Sequence, residues 1–312
     1  MIATGDTGVL VTGASGFIGS ALVRRLVQND ASVTATARGR LDVLTAELGV
    51  TVSHLDVMQE LPSFDGIGTV VHCASPNDIM SRESDGAIPL AVMGTNRLLE
   101  HAAKHGVKRF IFLSTIQVFG TELSGTVDEA TPVNCETLYG LNHYLGEEVC
   151  RFYAQTTDMD VVVLRPSNVY GVPTVSTVDR WTLVPMCFVR EGAETGSVKL
   201  RSSGKQVRNF VSMDEVVDVI CHVLAGFPAG FSIVNAASAW RSTIAEVAAM
   251  VGDVWQREAG KALDIQILSD QPENPGTFDY VSRVVPPILT PAESHKRMIQ
   301  VIEGLIRLKQ AH

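Results

Sequence analysis

The stretch Val9-Leu-Val-Thr-Gly13-Ala-Ser-Gly16-Phe-Ile-Gly19 decides how the chain is read. Strand-forming residues run into three regularly spaced glycines, and an amphipathic stretch from Ile18 to Gln28 follows at once. Glycine at the turn tolerates a positive φ, the second lets backbone approach a pyrophosphate, and the third lets the helix pack closely on the strand. The helix N-terminus then offers N–H groups to phosphate. In this strand-to-helix context the glycines predict a dinucleotide site built on Gly13, Ser15, Gly16, Phe17, Ile18 and Gly19.

Working outward, the runs Ser32 to Thr36, Thr69 to Cys73, Arg109 to Leu113 and Val161 to Leu164 read as further buried strands. Between them, Leu90 to His105 and Tyr139 to Gln155 have helical length and period, and Gly106 stands where a C-cap glycine belongs. That alternation predicts an α/β fold: a doubly wound parallel-sheet Rossmann domain over 1–171. After Gly171 prolines crowd the chain, with helices expected at Met213 to Ala225, Thr243 to Val251 and Pro291 to Lys309. Segments 172–205 and 236–312 are expected to form a smaller, interleaved C-terminal α/β substrate lobe, with roughly 206–235 returning to the first domain. Ser269 to Pro275 reads as a mobile loop.

A formal charge of −9 over 312 residues argues against a nucleic-acid or anionic-membrane surface, which needs clustered Lys and Arg. Five cysteines with no CxxC pair suit reduced thiols in cytosol. No signal-like N-terminus or membrane-length apolar run is present, so a soluble, cytoplasmic protein is expected. His72 and His101 lack partners at metal spacing and read as packed or surface residues, and no metal is expected. No acidic residue follows the glycines at the distance that would hold the adenosine ribose of NAD. Arg38 and Arg40 stand there instead, suiting the 2′-phosphate of NADP, with two solvated surface arginines as the alternative and NAD still possible. Cys135, four residues before Tyr139, either reaches substrate or is a tolerated loop cysteine.

Several segments together resemble the extended short-chain dehydrogenase/reductase family, in its nucleotide-sugar branch, over nearly the whole chain. They are His54-Leu-Asp56-Val57, Val70-Val-His-Cys73-Ala74-Ser75, Leu113-Ser-Thr115-Ile-Gln117-Val-Phe-Gly120, and the Tyr139-Gly segment with Glu147. Leu164-Arg-Pro166-Ser-Asn168-Val-Tyr-Gly171 and Gly204-Lys-Gln-Val-Arg208-Asn-Phe-Val211 complete the match. The resemblance implies catalytic Thr115 and Tyr139, and cofactor contacts from Asp56, Val57, Cys73, Ala74, Ser75 and Pro166. It also implies substrate contacts from Gln117, with Asn168 and Arg208 on the substrate diphosphate. In the family a helix pair forms a four-helix dimer interface; the corresponding helices here, carrying Leu98, Leu99, Tyr144, Leu145 and Val149, are expected to present apolar faces for a homodimer.

The chain departs from that pattern at three places. The family's Tyr-x-x-x-Lys is Tyr139-Gly-Leu-Asn-His143, so His143 takes the position that holds the nicotinamide ribose and tunes Tyr139. With an ordinary pKa near 6.5 a histidine is only partly charged at neutrality, leaving Tyr139 towards the neutral phenol. Dehydratases carry Asp-Glu after the catalytic Thr; Ile116 and Gln117 stand here, and isoleucine cannot be a general acid. Ala91 replaces the asparagine that opens the family's Asn-Val-x-Gly-Thr segment. These residues favour an NADPH-dependent reductase of nucleotide-linked keto sugars, with an NAD-dependent epimerase and a catalytically silent dinucleotide-binding sensor or scaffold as the alternatives.

Overall fold

A computed structural model describes residues 7–83, 85–269 and 277–310. Most of the loop expected at Ser269 to Pro275 lies outside the described residues. The strands are β1 (Gly8–Thr12), β2 (Val33–Ala37), β3 (Val52–His54), β4 (Ile67–His72), β5 (Arg109–Leu113), β6 (Gly125–Val127) and β7 (Asp160–Pro166). They continue as β8 (Asn168–Tyr170), β9 (Ser197–Leu200), β10 (Val207–Ser212), β11 (Phe231–Ala236), β12 (Arg241–Thr243), β13 (Asp264–Ile267) and β14 (Phe278–Tyr280). The helices are α1 (Phe17–Gln28), α2 (Leu41–Leu48), α3 (Asp78–Glu83), α4 (Ala87–Pro89), α5 (Thr95–Lys104) and α6 (Leu138–Thr156). Then come α7 (Met186–Thr195), α8 (Met213–Ala225), α9 (Ile244–Ala259) and α10 (Pro291–Gln310).

Seven strands form one parallel sheet in the order β11-β7-β5-β4-β1-β2-β3. Every residue of β1 is buried, as a strand covered on both faces requires. Its alternating side chains feed two cores. Val9 and Val11 pack with α1 and α8, whereas Leu10 packs with Leu98 and Leu99 of α5 and Cys150 of α6. Strand order reverses between β1 and β4, and in such sheets the crevice beyond the carboxyl ends at the reversal is where ligands bind.

The segment expected to return to the sheet contributes β11 at its edge and α8 against α1, while β10 pairs with β8 and β12 in a separate three-stranded sheet. The helix expected over Thr243 to Val251 runs on to Ala259; a Thr243–Glu246 capping box starts it. Between α4 and α5 lies a π-helical turn, Leu90–Gly94, which contains Ala91. Leu98 and Leu99 are fully buried inside the chain, correcting their place on an exposed apolar face. The helices turn inward there because β4 and β5 need cover. Exposed apolar residues of that side are instead Met93 and Phe152.

Candidate active site

At the end of β1 the chain turns sharply through Gly13 and enters α1 with Gly16 as its N-cap. A Cβ at position 19 would stand 2.2 Å from the Gly13 carbonyl oxygen, so only glycine lets α1 pack this closely on the turn. No side chain caps α1, which leaves first-turn N–H groups facing the crevice for an anion.

Two cavities of about 260 and 230 Å³ meet there. They share Gly16, Phe17, Cys73, Ser75, Asn77 and Arg180, and together fall within the usual range for small-molecule sites of ~300–1,000 Å³. The first is also lined by Gly13, Ser15, Arg38, Val57 and Ala74, the second by Ile18, Gly19, Thr115, Gln117, Tyr139, His143, Pro166 and Asn168. The hydroxyls of Ser75 and Thr177 are buried in this crevice with no hydrogen-bond partner. Uncapped helix, glycine cradle and unpaired hydroxyls fit the phosphates and riboses of a nicotinamide dinucleotide. A larger cavity between α1, α8 and α10 is lined by Arg24, Arg25 and Arg297, which are already engaged by the Thr174 carbonyl, Asp218 and Asp214.

Three residues expected at the site, Arg40, Asp56 and Arg208, line neither cavity; Arg40 stands at the N-terminus of α2. Asp56 turns its carboxylate back to accept from the Met58 N–H at 2.9 Å, leaving its neighbours Leu55 and Val57 on the cavity wall. Arg208 lies on β10, where its Nη1 donates to the Val207 carbonyl at 3.0 Å. Asn209 beside it touches the site only through Asn168, whose Nδ2 donates to the Asn209 carbonyl at 2.9 Å.

Thr115 follows β5 and N-caps a short 3-10 turn, Ile116–Phe119, its hydroxyl accepting from Gln117 N–H at 3.3 Å. The N-terminus of α6 abuts this turn. A Cβ at Gly140 would lie 2.4 Å from the Gln117 carbonyl oxygen, so the glycine after Tyr139 is what brings the phenol to Thr115. Cys135 donates its thiol to the Val118 carbonyl at 3.6 Å and lines neither cavity.

Burial pushes the Tyr139 phenol above its usual range, and Arg180 and a hydrogen bond with Thr115 pull it partly back. Burial also lowers His143 to about 4, against the carbonyls of Leu113 and Pro76, so the imidazole is neutral. His72 is buried with Nδ1 2.7 Å from Thr12 Oγ1, and burial, with His143 nearby, takes it to about 3. An unfolded chain protonates both rings near pH 6.5 and the folded chain does not. Their stabilisation is therefore complete above that pH and is lost as pH falls through it, at up to ~1.4 kcal/mol per pH unit for each ring. Thermal melts between pH 7 and 4.5 should show this loss, and His143→Gln should remove one ring's share of the slope. An unchanged slope would mean that His143 is already protonated in the fold.

The sequence pattern missed Arg180 and Thr177, which come from the irregular segment between β8 and α7 and line the crevice. Nothing periodic marks them. Arg180 donates to Asp78 Oδ1 at 3.1 Å, a contact 102 residues apart that only the fold creates.

The model of the NAD-dependent epimerase/dehydratase family matches residues 9–237. The chain belongs to this family. Its curated relatives include a UDP-glucose 4-epimerase of Mycolicibacterium smegmatis, 30% identical over 71% of this chain and 74% of that protein. A dTDP-4-dehydro-6-deoxy-D-allose reductase of a Streptomyces species is 28% identical over 82% and 83%. Among solved structures, MoeE5 in complex with UDP-glucose and NAD superposes with a TM-score of 0.78 at 21% identity, covering 97% of this chain and 99% of that one. UDP-glucuronic acid 4-epimerase from Bacillus cereus, in complex with UDP-glucuronic acid and NAD, gives 0.76 at 20% identity over 96% and 100%. Family members are thus NAD(P)-dependent epimerases, dehydratases and reductases of nucleotide sugars. No helix among the described residues of this family member is long and apolar enough to cross a membrane.

Proposed function

We propose that the chain reduces the carbonyl of a nucleotide-linked keto sugar with NADPH. The protonation pattern carries this reading: a phenol held above its usual pKa beside a neutral imidazole is an acid, not a base. An acid serves a carbonyl that receives hydride, whereas starting from an alcohol requires a base. When bound, the nicotinamide exchanges hydride with the sugar carbon. Thr115 orients the carbonyl oxygen, Tyr139 donates the proton to it, and His143 holds the nicotinamide ribose without adding charge. Asn168 and Arg208 hold the substrate diphosphate, the latter by turning from the Val207 carbonyl towards the crevice. Arg38, exposed at the rim of the first cavity, holds the 2′-phosphate. A homodimer through the face carrying Met93 and Phe152, 54% and 56% exposed, belongs to the same reading.

Epimerisation with retained NAD is the second reading, favoured by the epimerases among the relatives and by NAD in the similar structures. Calorimetric titration of cofactor-stripped protein separates the two. The reductase should bind NADPH about tenfold or more tighter than NADH, the worth of charge-assisted hydrogen bonds to one phosphate, and Arg38→Ala should erase that preference. Preference for NADH, with the unstripped protein turning over a UDP-sugar without added cofactor, would put the epimerase in its place.

A further inference from the structure

The cavity around Tyr139 holds few groups that can act on its proton. His143 faces it from α6, Asp78 from α3, Arg180 from the segment between β8 and α7, and Cys73 stands at the end of β4. His143 is neutral, and burial takes the Cys73 thiol to about 12, so neither carries charge at neutral pH. Arg180 is the one Lys or Arg among the described residues lining this cavity, and it lines the adjoining cavity as well.

We propose that Arg180, pinned by Asp78, is the positioning cation that receives the charge developing on Tyr139 as it gives up its proton. The inference rests on Tyr139 being the proton donor of the reaction proposed above. Arg180 Nη1 donates to Asp78 Oδ1 at 3.1 Å, and Asp78 Oδ2 is held by Arg82 at 3.0 Å. The Arg180 and Asp78 side chains are only 25% and 30% exposed, so their charges are less screened than on open surface. The segment that delivers Arg180 is anchored before it reaches the cavity: the Thr174 carbonyl accepts from Arg24 Nη2 at 2.5 Å, and the Ser176 N–H donates to Glu47 Oε2 at 2.9 Å. These contacts hold the cation at a fixed place on the cavity wall. The two charges act on the phenol in opposite senses. Arg180 favours the phenolate and Asp78 the phenol, with Arg180 the stronger of the two. A phenol that gives up its proton in the transition state needs such a cation to receive the developing charge, and His143 does not supply it.

The test is a titration of the full chain without cofactor or substrate. A 3,5-difluorotyrosine placed at Tyr139 is more acidic than tyrosine and gives a single fluorine resonance, so its midpoint can be followed while the chain is folded. Arg180→Gln should raise that midpoint by about one pH unit, and Arg180→Lys should restore most of it. Asp78→Asn, which keeps an oxygen to accept from Arg180, should move it the other way and provides an independent arm should Arg180→Gln fold poorly. A midpoint indifferent to Arg180→Gln, or to Asp78→Asn where the first cannot be read, would overturn the proposal. The titration is independent of turnover, so loss of the reductase reading leaves its result intact.

Discussion

Tyr139→Phe should reduce turnover ~10²–10⁴-fold, the usual contribution of a positioned general acid, while leaving nicotinamide binding nearly unchanged. The ring stays because its edge packs on His143, centroids 4.6 Å apart, and phenylalanine fills the same space. Only the hydroxyl facing Thr115 is lost. Since that hydroxyl acts in the transition state, kcat and kcat/KM should fall together with little change in KM. Steady-state kinetics on a nucleoside diphosphate keto sugar with NADPH reads this directly. Cofactor binding with no measurable rate in either the parent chain or Tyr139→Phe would instead favour a silent dinucleotide-binding protein. A parent rate that survives Tyr139→Phe would place the proton donor elsewhere in the crevice.

The parallel sheet and its crevice were legible in the sequence because they depend on local rules. Apolar runs such as Val9 to Thr12 and Val161 to Leu164 must be buried on both faces, and the glycines at 13, 16 and 19 have no cheaper explanation in a strand-to-helix junction. The helix α2 was missed because only eight residues separate the left-handed Arg40 from Gly49, too few for a periodic signal. Asp56 was misplaced for a similar reason: the chain knows its residue type, but the turn to Gln59 decides where the carboxylate points.

The chemistry of the site was less legible than its address. His143 was expected to be partly charged from its residue type alone, yet burial takes it to about 4, against the carbonyls of Leu113 at the end of β5 and Pro76 beyond β4, and that burial exists only in the fold. Arg180 lies in a stretch with no period and becomes part of the site through Asp78, which precedes it by 102 residues. Charge state and partner choice are tertiary properties, so the positions could be read before their roles.

Arg165→Leu should destabilise the chain by about 3–5 kcal/mol, because it strands a buried carboxylate. Arg165 and Glu147 are 2% and 0% exposed, with Nε donating to Oε1 at 2.9 Å and Nη2 to Oε2 at 2.5 Å. Glu147 also accepts from the Ser114 hydroxyl, and Arg165 stacks over Phe119 at 4.8 Å. Removing both charges is a different experiment. An Arg165→Met, Glu147→Leu double variant leaves no unpaired ion and should recover most of the lost stability, as buried pairs replaced by apolar residues commonly do. Activity should not recover with it. The pair joins α6, which carries Tyr139, to the ends of β5 and β7, which carry Thr115 and Pro166; without it the phenol and the threonine hydroxyl keep their fold but lose their mutual alignment. Denaturant melts and kcat measured on the single and double variants would separate the two effects. A double variant as active as the parent would show that packing alone aligns Tyr139, and one as unstable as Arg165→Leu would show that the loss lies in the cavity and not in the stranded charge.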